Sequence, residues 1–332
     1  MTAKRYSAPL LFVLLTIAVV VLFVLDLTTG SVDLSVGNVV SALTGGDCPE
    51  SVRRIVIDIR LCKAMAALLV GGALTVSGLQ MQTLFRNPLA GPYVLGVSSG
   101  ASLGVAVFML GAPLLGFSAV GTELGTAGMA WLGSALVLVL IAALAHRIRD
   151  IMVILILGMM FSSGVSAIVQ ILQYLSNEEA LKAYVVWTMG SLGEVTWSQM
   201  AVMGAAVFVG LVLAISTVKP LNMLLLGEEY ARTMGLNIRR SRAMLFVSTT
   251  LLSGTVTAFC GPIGFIGLAM PHVARLIFGN SDHRVLVPGA FIVGIAVMLA
   301  CDIVSKQFAF PINAVTALLG IPVVVWIVLK NR

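Results

Sequence analysis

The chain has 332 residues, of which 59% are hydrophobic and 10% charged, with a formal net charge of +6. Soluble domains carry about 25% charged residues, and a mean hydropathy of +1.07 leaves too little polar surface to cover a globule in water. These values exclude a water-soluble fold and make the bilayer the solvent. The positive charge invites a nucleic-acid reading, but the basic residues sit in short clusters between apolar runs, as in cytoplasmic loops.

A helix needs roughly 20 apolar residues to cross the hydrocarbon core. The first such run is 8–25, behind Lys4 and Arg5. It is longer than a signal-peptide core and no small-residue cleavage site closes it, so it is expected to stay as the first span. A short interfacial helix is expected at 36–43. Further runs follow at 64–85, 93–111, 124–145 and 151–175. The Asn87-Pro88 and Gly91-Pro92 pairs break the chain just before 93–111. A second interfacial helix is expected at 177–187, then a span at 197–218.

The segment 219–242 reads as a polar helix-turn-helix, with Gly235 where a helix C-terminus needs it. Runs at 243–261, 285–304 and 311–329 complete nine. Gly261-Pro262 interrupts the long uncharged stretch 243–271, which implies a tenth, short helix at 263–278. The expected fold is all-α: one transmembrane domain over 1–332, about ten helices, both termini on one side. Backbone broken at membrane depth is tolerated where it lines protein or a water-filled cavity, so the two breaks point to a transport path.

With the N-terminus inside, 14 of the 20 Lys and Arg fall on the inner side, Lys4, Arg5, Arg149 and Arg332 among them. This bias predicts cytoplasmic termini. No Gly-Lys pair occurs, so there is no Walker A loop. His146, His272 and His283 lack metal-ligand spacing, and Cys48, Cys62, Cys260 and Cys301 read as packing residues. No cofactor, metal or catalytic set is expected. Ion-coupled carriers keep ionisable groups inside the membrane. Here Asp302 is the best candidate, and its spacing to Lys306 reads as an i,i+4 pair at the interface. A path without an engine points to energy supplied by another subunit. An ion-coupled secondary transporter is the alternative.

Four stretches together resemble the FecCD-type permeases of ABC importers for iron-siderophores, haem and cobalamin. They are Ile59-Arg60-Leu61 running into 68–82, Asn87-Pro88-Leu89-Ala90 followed by 95–101, Leu226-Gly227-Glu228 with Ala231-Arg232 and Met234-Gly235-Leu236, and 261–276 followed by Asp282-His283-Arg284. The stretch Ala314–Pro322 also fits. The family often has Arg-X-Pro-Arg where this chain has Arg60-Leu61-Cys62-Lys63, and the segment before the last span is shorter, Phe308–Pro311.

The resemblance implies a cobalamin-importer-like permease (type II ABC importer) in the inner membrane. It implies a homodimer with two cytoplasmic ABC ATPase subunits, a periplasmic or lipid-anchored substrate-binding protein, and a ferric siderophore, haem or cobalamin as cargo. ATP hydrolysis would lie on the separate ATPase. Gly227, Glu228, Ala231, Arg232 and Gly235 match the family's ATPase-coupling motif. Asn87 and Leu89, with Asp150, Ile151 and Met152, match a cytoplasmic gate. Arg60, Lys63 and Lys306 match positions that dock the binding protein. Gly158, Met159, Ser162 and Ser163 are expected to line the path, on their small or soft side chains.

Overall fold

The computed structural model describes residues 7–112 except Ser31 and Asp33, and 123–330 except Arg149. Lys4, Arg5, Arg149 and Arg332, which entered the charge bias, lie outside these residues. Every regular element among the described residues is helical.

Ten helices match the ten expected spans. In chain order they are α1 (Ala8–Thr28), α2 (Cys62–Leu84), α3 (Val97–Gly111), α4 (Glu123–Arg147), α5 (Ile151–Leu175), α6 (Trp197–Ser216), α7 (Ile238–Cys260), α8 (Ile266–Phe278), α9 (His283–Phe308) and α10 (Ile312–Lys330). By length and composition, α1, α4, α5, α6, α7 and α9 can each cross a bilayer, while α3, α8 and α10 contain shorter apolar helices. Two short outer helices form at Val36–Thr44 and Glu178–Thr188, close to the expected segments.

α2 is the axis of the packing, and every residue from Val70 to Leu84 is buried. Lipid tails are as apolar as leucine, so helices in a membrane associate through close packing of small residues and interhelical hydrogen bonds. Both occur here. A Cβ on Gly71 would fall 2.3 Å from the Gly294 carbonyl oxygen of α9, and one on Gly78 would fall 1.6 Å from that of Gly267 in α8. The same device joins α3 to α4 through Gly100 and Gly133. The buried polar groups of α2 find partners on three neighbours. Gln80 donates to Thr217 at 3.3 Å and accepts from Thr249 of α7 at 3.2 Å. Gln82 donates to the Leu268 carbonyl at 2.9 Å and accepts from Arg275 at 2.6 Å, both in α8.

Two sequence expectations shift. The span expected at 243–261 starts at Ile238, so the second half of the expected helix-turn-helix is the first turn of α7 itself. The run expected at 93–111 begins as a 3₁₀ turn, Pro92–Leu95, and becomes α-helical only after Gly96 at φ +75°. The break at Gly261 is present, at φ +73°.

The ring of Phe12 in α1 packs tilted, 4.8 Å between centroids, against Phe278, the last residue of α8, while Asp26 at the far end of α1 meets Lys306 at the far end of α9. Asn222 bonds the start of α9. The start of α1 and the end of α10 therefore lie at the end that carries the short helices Val218–Leu224 and Glu228–Thr233.

Candidate functional site

The segment between α6 and α7 is built as a small, rigid surface. Gly227 adopts φ +103°, open only to glycine at low cost, and turns the chain into the helix Glu228–Thr233. Glu228 sits in the first turn, where the helix dipole favours an anion. Arg242 reaches across from α7 and grips it with a fork: its Nη2 lies 2.5 Å from Oε1 and 2.6 Å from Oε2, and its Nε 3.1 Å from Oε1. Both side chains are largely buried, which makes this pair stronger than a surface bridge. Ala231 is fully buried beneath the helix. Gly235 ends it at φ +85°, with its N–H on the Arg232 carbonyl and that of Leu236 on Ala231. Arg232 pairs with Glu229 at 3.4 Å on the surface. The Arg86 guanidinium, from the end of α2, lies over Gly227.

This fold-back leaves Leu226 63% and Tyr230 58% exposed, with Leu225 and Met234 beside them in sequence. A second tie anchors the preceding helix. Asn222 donates to Asp282 at 2.6 Å and accepts from the backbone and ring of His283, each at 2.8 Å, and His283 meets Thr83 of α2 at 2.9 Å. The Arg284 N–H, and then the Asn222 amide, hold the Asp282 carboxyl below the usual carboxylate range.

The break before α3 lies at the same end. The Asn87 side chain accepts from the Leu89 N–H at 2.9 Å, and His272 of α8 donates to the Pro88 carbonyl at 2.7 Å. Leu89 is exposed. Asp150 caps α5 through the Met152 N–H at 2.8 Å. Ile151 packs in the cluster that holds Ala90 and Leu95, so the turn and the start of α5 come together, while Met152 points outward.

The four expected path residues separate. A Cβ on Gly158 would stand 2.4 Å from the Val94 carbonyl, so this glycine admits the 3₁₀ turn and is buried. Ser162 is half-buried and donates to the Gly158 carbonyl. Met159 and Ser163 lie on the exposed face of α5, in line with Met152 and Ile156.

At the opposite end the three expected docking cations are all engaged within the chain. Arg60 is buried and donates to the carbonyls of Leu27, Thr28 and Val32, capping the end of α1. Lys306 pairs with Asp302 at 2.8 Å and with Asp26 at 2.9 Å, and Lys63 pairs with Asp302 at 3.1 Å. Both aspartates are fully buried. The Asp302–Lys306 pair expected at the interface is thus half of a four-charge cluster joining α1, α2 and α9. Lys63 alone opens outward, its side chain 19% exposed, into a cavity of about 260 Å³ beside Ser191 and Glu194. The sequence reading did not find Asp26, Asn222 or Arg242 as partners. No local spacing marks them, because each meets its partner from a distant segment.

Comparison with known proteins decides the family. Residues 17–330 match the FecCD transport family. The chain belongs to that family. The hemin transport system permease protein HmuU of Yersinia pestis is 32% identical over 99% of this chain and 98% of its own. The vitamin B12 import system permease protein BtuC of Salmonella paratyphi A is 39% identical over 82% of this chain and 83% of its own. A solved chain described as a metal-chelate type ABC transporter in an inward-facing conformation superposes with a TM-score of 0.85 at 30% identity. It covers 98% of this chain and 100% of that one. A second, PsaBC from Streptococcus pneumoniae, shares the fold at 17% identity and a TM-score of 0.57. This FecCD chain is the permease subunit of an ATP-binding-cassette importer, a polytopic membrane protein of a system that pairs with ATPase subunits and a binding protein. The relatives give no support to an ion-coupled carrier.

Proposed function

We propose that this permease carries a metal chelate inward across the inner membrane, as a homodimer driven by two cytoplasmic ATPase subunits that seat on the face of the 219–242 segment that carries Leu226 and Tyr230. The cargo class is an iron chelate such as a ferric siderophore, or a related haem or cobalamin, because the named relatives carry hemin and vitamin B12. One observation carries the coupling assignment. Leu226 and Tyr230 are exposed on a surface that the Glu228–Arg242 pair and buried Ala231 hold rigid. Exposed apolar residues beyond the ends of the spans mark a contact surface for a partner. The start of α1 and the end of α10 share that end, which is the cytoplasmic one in this reading.

In the same reading Asn87, Leu89, Asp150, Ile151 and Met152 form the inner gate, where the broken turn and the start of α5 share one apolar cluster. Met159 and Ser163 face the path, with Gly158 and Ser162 shaping the helix behind them. The binding protein docks on the opposite face through Lys63. Arg60 and Lys306 act behind that surface by fixing the helix ends.

The test is uptake by the permease reconstituted with its ATPase and binding protein. Leu226→Asp with Tyr230→Asp should release the ATPase subunits from the purified complex and abolish ATP-driven uptake. A complex that keeps both would place the coupling surface elsewhere.

A further inference from the structure

Between α6 and α9, at the end that carries the 218–233 helices, lies a cavity of about 600 Å³. Leu211 and Ile215 of α6 form one wall, and Val287, Phe291 and Ile292 of α9 the other. Val76 of buried α2 lies at its floor. The ring of His283 also borders it, but its nitrogens are engaged by Thr83 and Asn222. The volume lies in the range of small-molecule sites, about 300–1,000 Å³. Along α9 the cleft runs from Arg284 to Ile292, about 12 Å at 1.5 Å per residue.

Its mouth differs from its depth. Arg284 lines the mouth and is exposed. Lys219 is also exposed, one turn before Asn222 on the same face of its helix, and Asn222 binds the start of α9. Among the described residues neither cation forms an ion pair. Pro288 adds an acceptor there. Lacking an N–H, it leaves the Arg284 carbonyl without its helical donor. Arg284 thus stands at the mouth of an apolar slot, close to the Asp282 carboxylate, and Lys219 stands beside Val218 on the adjoining helix.

We propose that this cleft holds one anionic phospholipid of the adjoining leaflet, with its phosphate on Arg284 and Lys219 and an acyl chain between α6 and α9. An acyl chain matches its length and its carbon walls. The neighbouring face of α6, with Phe208 and Val212 exposed, continues the apolar surface toward bulk lipid.

The experiment is native mass spectrometry of the permease–ATPase complex, released from micelles holding equal phosphatidylglycerol and phosphatidylcholine. The wild type should retain one phosphatidylglycerol per permease chain, roughly tenfold over phosphatidylcholine. Lys219→Gln with Arg284→Gln should weaken retention about 10- to 30-fold, as expected for two bases at an anionic surface. Lys219→Arg with Arg284→Lys should restore it. Ile215→Trp with Ile292→Trp, at positions not fully buried, should expel the lipid with both charges intact. Equal retention of the two lipids, or phosphatidylglycerol binding that survives either disruptive pair, would overturn the site. So would cross-linking of Ile215→Cys between two permease copies, which would assign the cleft to a protein neighbour.

Discussion

Replacing Lys306 with methionine keeps the length of the side chain and removes the one cation that touches both buried aspartates. Lys306 stands 2.9 Å from Asp26 and 2.8 Å from Asp302, and Lys63 stands 3.1 Å from Asp302 only. After the substitution Asp302 keeps a partner and Asp26 has no lysine left. Removing one partner of a buried pair costs about 3–5 kcal/mol, most of it the penalty of the stranded charge. At about 2 °C per kcal/mol for a chain of this size, the midpoint of thermal unfolding should fall by about 6–10 °C. Asp26→Asn combined with Lys306→Met removes the stranded charge and leaves Lys63–Asp302 as a complete pair. The double variant should therefore be more stable than Lys306→Met alone, with a coupling of about 2 kcal/mol or more. Fluorescence-detected size exclusion of the purified permease across a temperature series measures both shifts. Additive losses, or a Lys306→Met protein as stable as the wild type, would refute the claim that these charges act as one cluster.

Three further outcomes follow from packing and hydrogen bonds. Gly78→Ala places a methyl 1.6 Å from the Gly267 carbonyl, so α2 and α8 must separate; overpacking of this kind costs about 1–3 kcal/mol or more, and yield of folded protein should drop sharply. Arg60→Lys keeps the charge but cannot serve three carbonyls in a fixed fork; amide exchange over residues 27–32 should accelerate while the other helices stay protected. Glu228→Gln removes the charge from the Arg242 contact; it should lower stability by about 1.5–3 kcal/mol and cut ATP-driven uptake, while wild-type uptake would separate this pair from coupling.

Nine of the ten helices were legible because each leaves a long run of apolar residues, and α8 was legible from the Gly261-Pro262 break before it. The start of α7 was misplaced for the same reason. Arg239, Arg240 and Arg242 look like a loop to a hydropathy argument, yet Arg242 is buried because Glu228 neutralises it. The outer cations illustrate the limit more sharply. Spacing reveals Asp302 beside Lys306, but Asp26 lies 280 residues from Lys306 in the chain, and only the fold brings them together. Gly158 was read by size as a path liner. Sequence gives the size of a residue and not its direction, and this one faces the Val94 carbonyl.

The burial of α2 has a mechanical consequence. Its backbone is keyed into α8 and α9 at Gly78 and Gly71, and its glutamines are keyed into α7 and α8. Sliding it by a single residue, about 1.5 Å, would drive carbonyls into the glycine notches and break both glutamine contacts at once. The packing itself therefore blocks any axial slip of α2 against α7, α8 and α9.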